Sequence, residues 1–173
     1  MSKSALIIID MLNDFVHEKG TLYCGKASED IIPLIRSRLQ AFRERKDTII
    51  HIQDSHDVDD REFERYASHA VAGTWGNEFT DSLKPEADEY VVPKKTLSSF
   101  LGTGLAHILE EEAVEDVEVV GVCTSICVMD TIGGLVNRGY SVSVPVNEVA
   151  DFDEEAHAFA LKRMKLVYGA DVS

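Results

Sequence analysis

The sequence is short of cysteine, short of positive charge and without a long apolar run. It holds three cysteines in 173 residues: Cys24, Cys123 and Cys127. An odd count fits reduced thiols better than a disulfide framework. Cys123 and Cys127 are not spaced as Cys-x-x-Cys, so a redox pair there has little support. Lysine and arginine total 17 against 31 aspartates and glutamates, a formal net charge of −14. That balance argues against nucleic acid and against an anionic membrane surface, since both select cationic patches. No apolar stretch approaches the length of a membrane span, and Met1-Ser2-Lys3-Ser4 runs straight into a strand-like segment instead of a signal peptide. The expected compartment is the cytoplasm. Low-complexity tracts are absent too, and 45% apolar residues over this length suffice for a sizeable core. The expectation is one domain spanning residues 1–173.

What is present centres on Val117–Thr131. Its first half is a β-branched run ending at Gly121, the mark of a buried strand. From about Ser125 the apolar spacing turns helical, through Val128, Ile132, Leu135 and Val136 to Gly139, a C′ glycine. Cys127 thus falls at a strand-to-helix turn, where free N–H groups and the helix dipole favour a thiolate. It is a candidate nucleophile, and the amides around it are candidate oxyanion donors. The competing reading is a small core residue, as free cysteines usually are.

Other strand-like runs also end in chemistry-bearing residues. Ala5–Asp10 is continuously apolar before its carboxylate, as in a strand buried on both faces. Asp10 there either meets a ligand or caps the next turn. A helix over residues 29–46, capped by Ser28, carries one apolar stripe and tolerates Pro33 in its first turn. Thr48–Gln53 is the second strand, followed by Asp54. The stretch from Asp54 to Asn77 lacks periodicity and is long for a loop in a compact domain. It carries Asp54, His56, Glu62, Glu64 and His69, a donor set suited to Zn, Fe or Mn, or else to a solvated acidic loop. Glu89–Val92 is a short third strand leading to Lys94 and Lys95, either a thiolate partner or surface lysines. A helix over Thr103–Ala113, a strand over Ser141–Val146 and a helix capped by Asp153 follow. Acidic clusters at Glu86–Glu89, Glu110–Glu118 and Asp151–Glu155 read as solvated faces.

Alternating strands and helices predict a three-layer α/β/α sandwich with a mostly parallel central sheet. Parallel strands present their C-terminal ends along one edge. Asp10, Asp54, Lys94 and the Cys123–Cys127 turn can therefore converge, which favours catalysis over a non-catalytic binding or thiol-redox module.

These residues resemble the isochorismatase-like cysteine hydrolases, and among them the nicotinamidases. The likeness rests on Ile-Ile-Ile-Asp10 with Asn13-Asp14-Phe15, on Asp54-Ser-His56, on His69-Ala-Val-Ala-Gly-Thr-Trp-Gly, on Lys94 before Ser98-Ser99-Phe100, and on Gly121-Val-Cys-Thr-Ser-Ile-Cys127. It implies a catalytic triad of Asp10, Lys94 and Cys127. It also implies a cis peptide at Val122–Cys123, with the Cys123 and Cys127 amides as oxyanion hole. One divalent metal, zinc with manganese or iron as alternatives, would be held by Asp54, His56, His69 and a middle ligand, Glu62 or in its place Glu64. Phe15 and Tyr66 would line the substrate. The implied reaction is hydrolysis of nicotinamide to nicotinate and ammonia, a step of NAD salvage, with another small amide or urea as the alternative. A homo-oligomer is the implied assembly. Tyr66-Ala-Ser stands where many nicotinamidases carry a tryptophan motif, and the chain stops soon after Tyr168, with little room for the last strand many relatives have.

Overall fold

Five segments with the apolar character of buried strands lie side by side in the computed structural model, which describes residues 3–173. Among the described residues the strands are β1 (Lys3–Ile9), β2 (Thr48–Asp54), β3 (Tyr90–Lys94), β4 (Val114–Val122), β5 (Ser141–Val144), β6 (Val149–Ala150) and β7 (Asp171–Val172). They form one sheet in the order β3-β2-β1-β4-β5-β7, with β6 beside the end of β4. Every strand pairing is parallel.

Successive side chains on β1 point to opposite faces, so its apolar run feeds two cores. Ala5, Ile7 and Ile9 pack with Leu105 and Leu109 of α4 (Leu105–Glu111), Ile132 and Leu135 of α5 (Met129–Val136), and Ala160 and Met164 of α6 (Glu154–Leu166). Leu6 and Ile8 pack with Phe15 and Val16 of α1 (Asn13–Val16) and with Ile35, Leu39 and Phe42 of α3 (Ile32–Arg45). This is the expected three-layer arrangement, and burial on both sides explains why the central strands read as continuous apolar runs.

Several boundaries differ from expectation. The helix expected over residues 29–46 is two helices, α2 (Lys26–Asp30) and α3, meeting at Ile31. Pro33 has no N–H to continue the first ladder, which accounts for the break. Ser28 is not the cap: it is buried inside α2, its hydroxyl donating to Gly25 O at 2.7 Å. β5 stops at Val144 because Pro145 cannot donate to a ladder. The C-terminus does form a last strand, its two residues pairing Ser143 with Asp171 and Val144 with Val172. Asp153 caps α6 as expected, accepting from the N–H groups of Glu155 and Ala156. No helix of the described residues is long and apolar enough to cross a membrane.

Candidate active site and metal centre

The register of the sheet sets the site. Asp54 and Lys94 are paired across β2 and β3, and Ile9 is level with Ile52 on one side and Gly121 on the other. At the end of β1 the chain turns at Asp10, which has φ 51°, a left-handed value uncommon outside glycine. Asp10 Oδ1 accepts the Asp54 N–H at 2.9 Å. Lys94 reaches the same point: Nζ is 2.9 Å from Asp10 Oδ2, 2.9 Å from Asp54 Oδ1 and 3.5 Å from Cys127 Sγ. Asp10, Asp54, Lys94 and Cys127 are all buried. Asp10 Oδ2 is buried against the Lys94 cation without an aligned hydrogen bond. Lys95, the neighbouring candidate, is exposed and pairs with Asp57 instead.

Burial and charge set the protonation states. Burial pushes the Asp10 carboxyl up to about 6, with Lys94 pulling against it and Asp54 adding to it. Lys94 stays cationic: burial works against its charge, but Asp10, Cys127 and Asp54 outweigh it and raise its pKa. The expectation of a depressed Cys127 pKa is overturned. Burial pushes the thiol well up; Lys94 opposes this, and Asp10 and Asp54 reinforce it. A strand-to-helix turn favours a thiolate only where desolvation and adjacent carboxylates do not win. Cys127 therefore rests as a thiol beside a weak base.

The Cys127 turn is built by tight backbone packing. Gly121 has φ 119°, and a Cβ there would overlap Ile9 O, so β1 and β4 approach this closely only with glycine. The Val122–Cys123 peptide is cis. The next turn, Thr124–Val128, is a wide π turn in which the Val128 N–H reaches Cys123 O at 3.2 Å, and it leads into α5. Asp151 closes it by accepting the Ser125 N–H at 2.7 Å. Asp151 is thus buried and structural, not part of a solvated acidic face. Glu89, from another such cluster, is half-buried with its carboxylate covered, bound by Arg43 at 2.6 Å and His51 at 2.8 Å.

Asp54 also faces a second group. Its Oδ2 lies 3.2 Å from His56 Nε2 and 3.4 Å from His69 Nε2. One ligand atom from each of these three buried residues falls within 4.8 Å of the others. His56 Nδ1 is engaged by Asp60 Oδ2 at 3.0 Å and His69 Nδ1 by Ala67 O at 2.8 Å. Both rings are thereby oriented with Nε2 toward Asp54, the arrangement that outer partners give metal-binding histidines. His56 Nε2 is buried without a hydrogen-bond partner. A carboxylate, two imidazoles and an orphaned nitrogen fit a divalent transition metal. Without one, the burial that lowers the His56 pKa is outweighed by Asp54 and Asp60, which lift it to about 9. Glu62 stands apart from the compact group but lines the same cavity, while Glu64 is exposed and belongs to another hollow beside Arg61. Glu64 has no place at the centre, and Glu62 could join only from the cavity wall.

The cavity over these groups measures about 380 Å³. Asp10, Asp54, His69 and Cys127 form its chemical lining, with Phe15 and Tyr66 on its walls. Both rings stand edge-on to His69, at 5.7 and 6.4 Å between centroids. Leu97, Phe152 and Cys24 also line it, and no signal in the sequence marks them. Nor does one mark the role of Asp14, a buried carboxylate that accepts the Ala70 N–H at 2.7 Å and the Thr21 N–H at 3.0 Å. It ties the His69 loop to the glycine-punctuated loop between Gly20 and Gly25. A larger hollow of about 620 Å³ lies over Arg38, whose guanidinium is committed to Glu148 and Glu118.

A parallel sheet thus carries a buried acid, lysine and cysteine together at its C-terminal edge. The isochorismatase domain family matches residues 4–173, and the chain belongs to that family. It is a hydrolase of the kind that acts on carboxamide C–N bonds. Its structure is similar to that of the nicotinamidase/pyrazinamidase PncA from Bacillus subtilis, with a TM-score of 0.94 and 36% identity, covering 99% of each chain. It is similar to N-carbamoylsarcosine amidase from Thermoplasma acidophilum, with a TM-score of 0.89 and 31% identity over 99% of this chain and 95% of that one. It also resembles the pyrazinamidase of Pyrococcus horikoshii in complex with zinc, with a TM-score of 0.93 and 28% identity over 99% and 98%.

Proposed function

We propose that this chain hydrolyses nicotinamide to nicotinate and ammonia through a thioester on Cys127. The observation that carries the reading is the position of Lys94 Nζ, within 3.5 Å of Asp10, Asp54 and Cys127, three residues that line one cavity. The ring lies between Phe15 and Tyr66, with its carboxamide over Cys127. Asp54, His56 and His69, with Glu62 on the cavity wall, would hold a divalent ion, which would supply Lewis acidity beside the substrate. Zinc is the first choice, with manganese or iron as alternatives.

Near neutral pH Asp10 is mostly ionised and Cys127 is protonated. As Sγ attacks the carbonyl carbon, its proton passes to Asp10, and the Lys94 cation offsets the charge that sulfur acquires. The carbonyl oxygen takes the electron pair and is met by the Cys123 and Cys127 amides. Asp10 then gives its proton to the amide nitrogen, the C–N bond breaks and ammonia leaves. A water deprotonated by Asp10 attacks the thioester, releasing nicotinate, and the thiol is restored. Burial of Asp10 supports this double duty, because a carboxyl with a pKa of about 6 both accepts and returns a proton near neutrality.

The test is ammonia release from nicotinamide by metal-replete protein beside a chelator-treated sample. The expected result is activity that falls on chelation and returns with Zn, Mn or Fe. No release from metal-replete protein overturns the substrate assignment. A second reading, another small amide or a urea, is favoured by the open rim. Tyr66 is 42% and Phe152 65% exposed, so neither clamps a ring tightly.

A further inference from the structure

Two thiols in the cavity have no part in the proposed chemistry. Cys24, in the glycine-punctuated loop, and Cys123, just beyond β4, are 99 residues apart in sequence, yet their sulfurs are 2.9 Å apart. Both are buried and both line the cavity that holds Cys127. Cys123 enters the reaction only through its backbone amide, and Cys24 not at all. The Cys24 side is firmly placed: its N–H donates to Phe15 O at 2.8 Å and its Sγ lies 3.5 Å from Leu22 O. The sulfur next door and burial both push the Cys123 thiol up. A disulfide has its sulfurs about 2.05 Å apart, so closure needs a shift of less than about 1 Å.

We propose that Cys24 and Cys123 form an oxidisable dithiol, a modification site that takes a small hydroperoxide and closes to a disulfide. In the first step one sulfur takes an oxygen from hydrogen peroxide, becoming a sulfenic acid and releasing one water. In the second, the other sulfur attacks it, the S–S bond forms, the S–O bond breaks and a second water leaves with the remaining thiol proton. The two electrons lost by the thiols are those gained by the peroxide. The cavity opens to solvent and admits so small an oxidant. The adjacent partner intercepts the sulfenic acid before it is oxidised further. Cys127 has Lys94, a group that cannot form such a bond, at 3.5 Å. The bond ties the glycine-punctuated loop to the strand end and draws Cys123 toward Cys24. If, as proposed above, the Cys123 amide meets the oxyanion, the oxidised enzyme is slower, and a dithiol restores it.

The test treats the wild-type protein with limiting hydrogen peroxide, alkylates free thiols and maps the peptides without reduction. The expected product is a Cys24–Cys123 linked peptide with Cys127 alkylated, and dithiothreitol returns both lost thiols. Amide hydrolysis falls on the order of 10²-fold in the linked form and recovers on reduction. In Cys24→Ala the linked peptide is absent. A Cys123–Cys127 link, oxyacids at Cys127 as the first product, or three free thiols after treatment would overturn the proposal. Mapping needs no substrate, so a failure of the nicotinamide assignment is distinguishable from a failure of this one.

Discussion

Asp54 and Lys94 are register partners on neighbouring parallel strands, and their side chains meet at 2.9 Å through Asp54 Oδ1. The other oxygen of the same carboxylate faces His56 and His69. One residue therefore joins the lysine beside Cys127 to the candidate metal centre, and neither group can be altered without the other feeling it.

Replacing Lys94 exposes that linkage. Lys94→Met leaves the buried carboxylates of Asp10 and Asp54 without their shared cation. The predicted cost is about 3–5 kcal/mol of stability, read as a lower urea midpoint, together with loss of hydrolysis. Lys94→Arg does not restore activity, because a planar guanidinium cannot reproduce a point charge shared by three partners.

Metal affinity separates the ligands from their supports. Zinc titration calorimetry is predicted to show the largest losses for His56→Ala and His69→Ala. Asp60→Asn weakens binding about 10–100-fold by releasing the His56 ring. Glu62→Gln loses less than either histidine variant, since Glu62 stands outside the compact group. Equal losses for Glu62→Gln and His69→Ala would place Glu62 among the direct ligands.

Glu89 gives the fold an acid-sensitive element. Burial alone would raise its pKa, but the His51 and Arg43 hydrogen bonds outweigh burial and lower it from 4.5 to about 2. A folded pKa below the unfolded one stabilises the protein fully above about pH 4.5, and that contribution drains away as pH falls through about 2. Glu89→Gln should therefore be destabilised near neutrality, with the gap to wild type closing as pH drops across that window. Urea melts at a series of pH values measure this, and a gap independent of pH would contradict the assignment.

Gly121→Ala tests the backbone approach that sets the Cys127 turn. The added methyl overlaps Ile9 O, and the backbone has φ 119°. A loss of about 1–3 kcal/mol is expected from overpacking, with strain added to it, visible as a lower thermal midpoint.

Much of this site was legible in the sequence because parallel sheets convert local patterns into a common edge. Asp10, Asp54, Lys94 and Cys127 each follow an apolar run, and runs buried on both faces are easy to recognise. Residues that reach the cavity from irregular loops carried no such signal. Cys24, Leu97 and Phe152 arrive by loop geometry, and nothing in their neighbours' polarity announces it. Glu89 and Asp151 looked like solvated acids because charge pattern alone does not reveal that an arginine or a backbone amide will be delivered to them. The direction of the Cys127 shift was missed for a related reason: desolvation depends on what packs around the sulfur, and only the assembled cavity shows two carboxylates beside it. The two-residue β7 was overlooked because its pairing depends on β5, not on its own periodicity.

The central claim is that Cys127 forms a covalent bond to the acyl group. The measurement that tests it most directly is the steady-state rate of ammonia release from nicotinamide by Cys127→Ala, on protein whose zinc affinity and thermal midpoint match wild type. The rate is predicted to fall by about 10⁴-fold or more. A variant that keeps more than a few per cent of wild-type turnover would contradict the thioester route and leave the cysteine a packing residue beside some other chemistry.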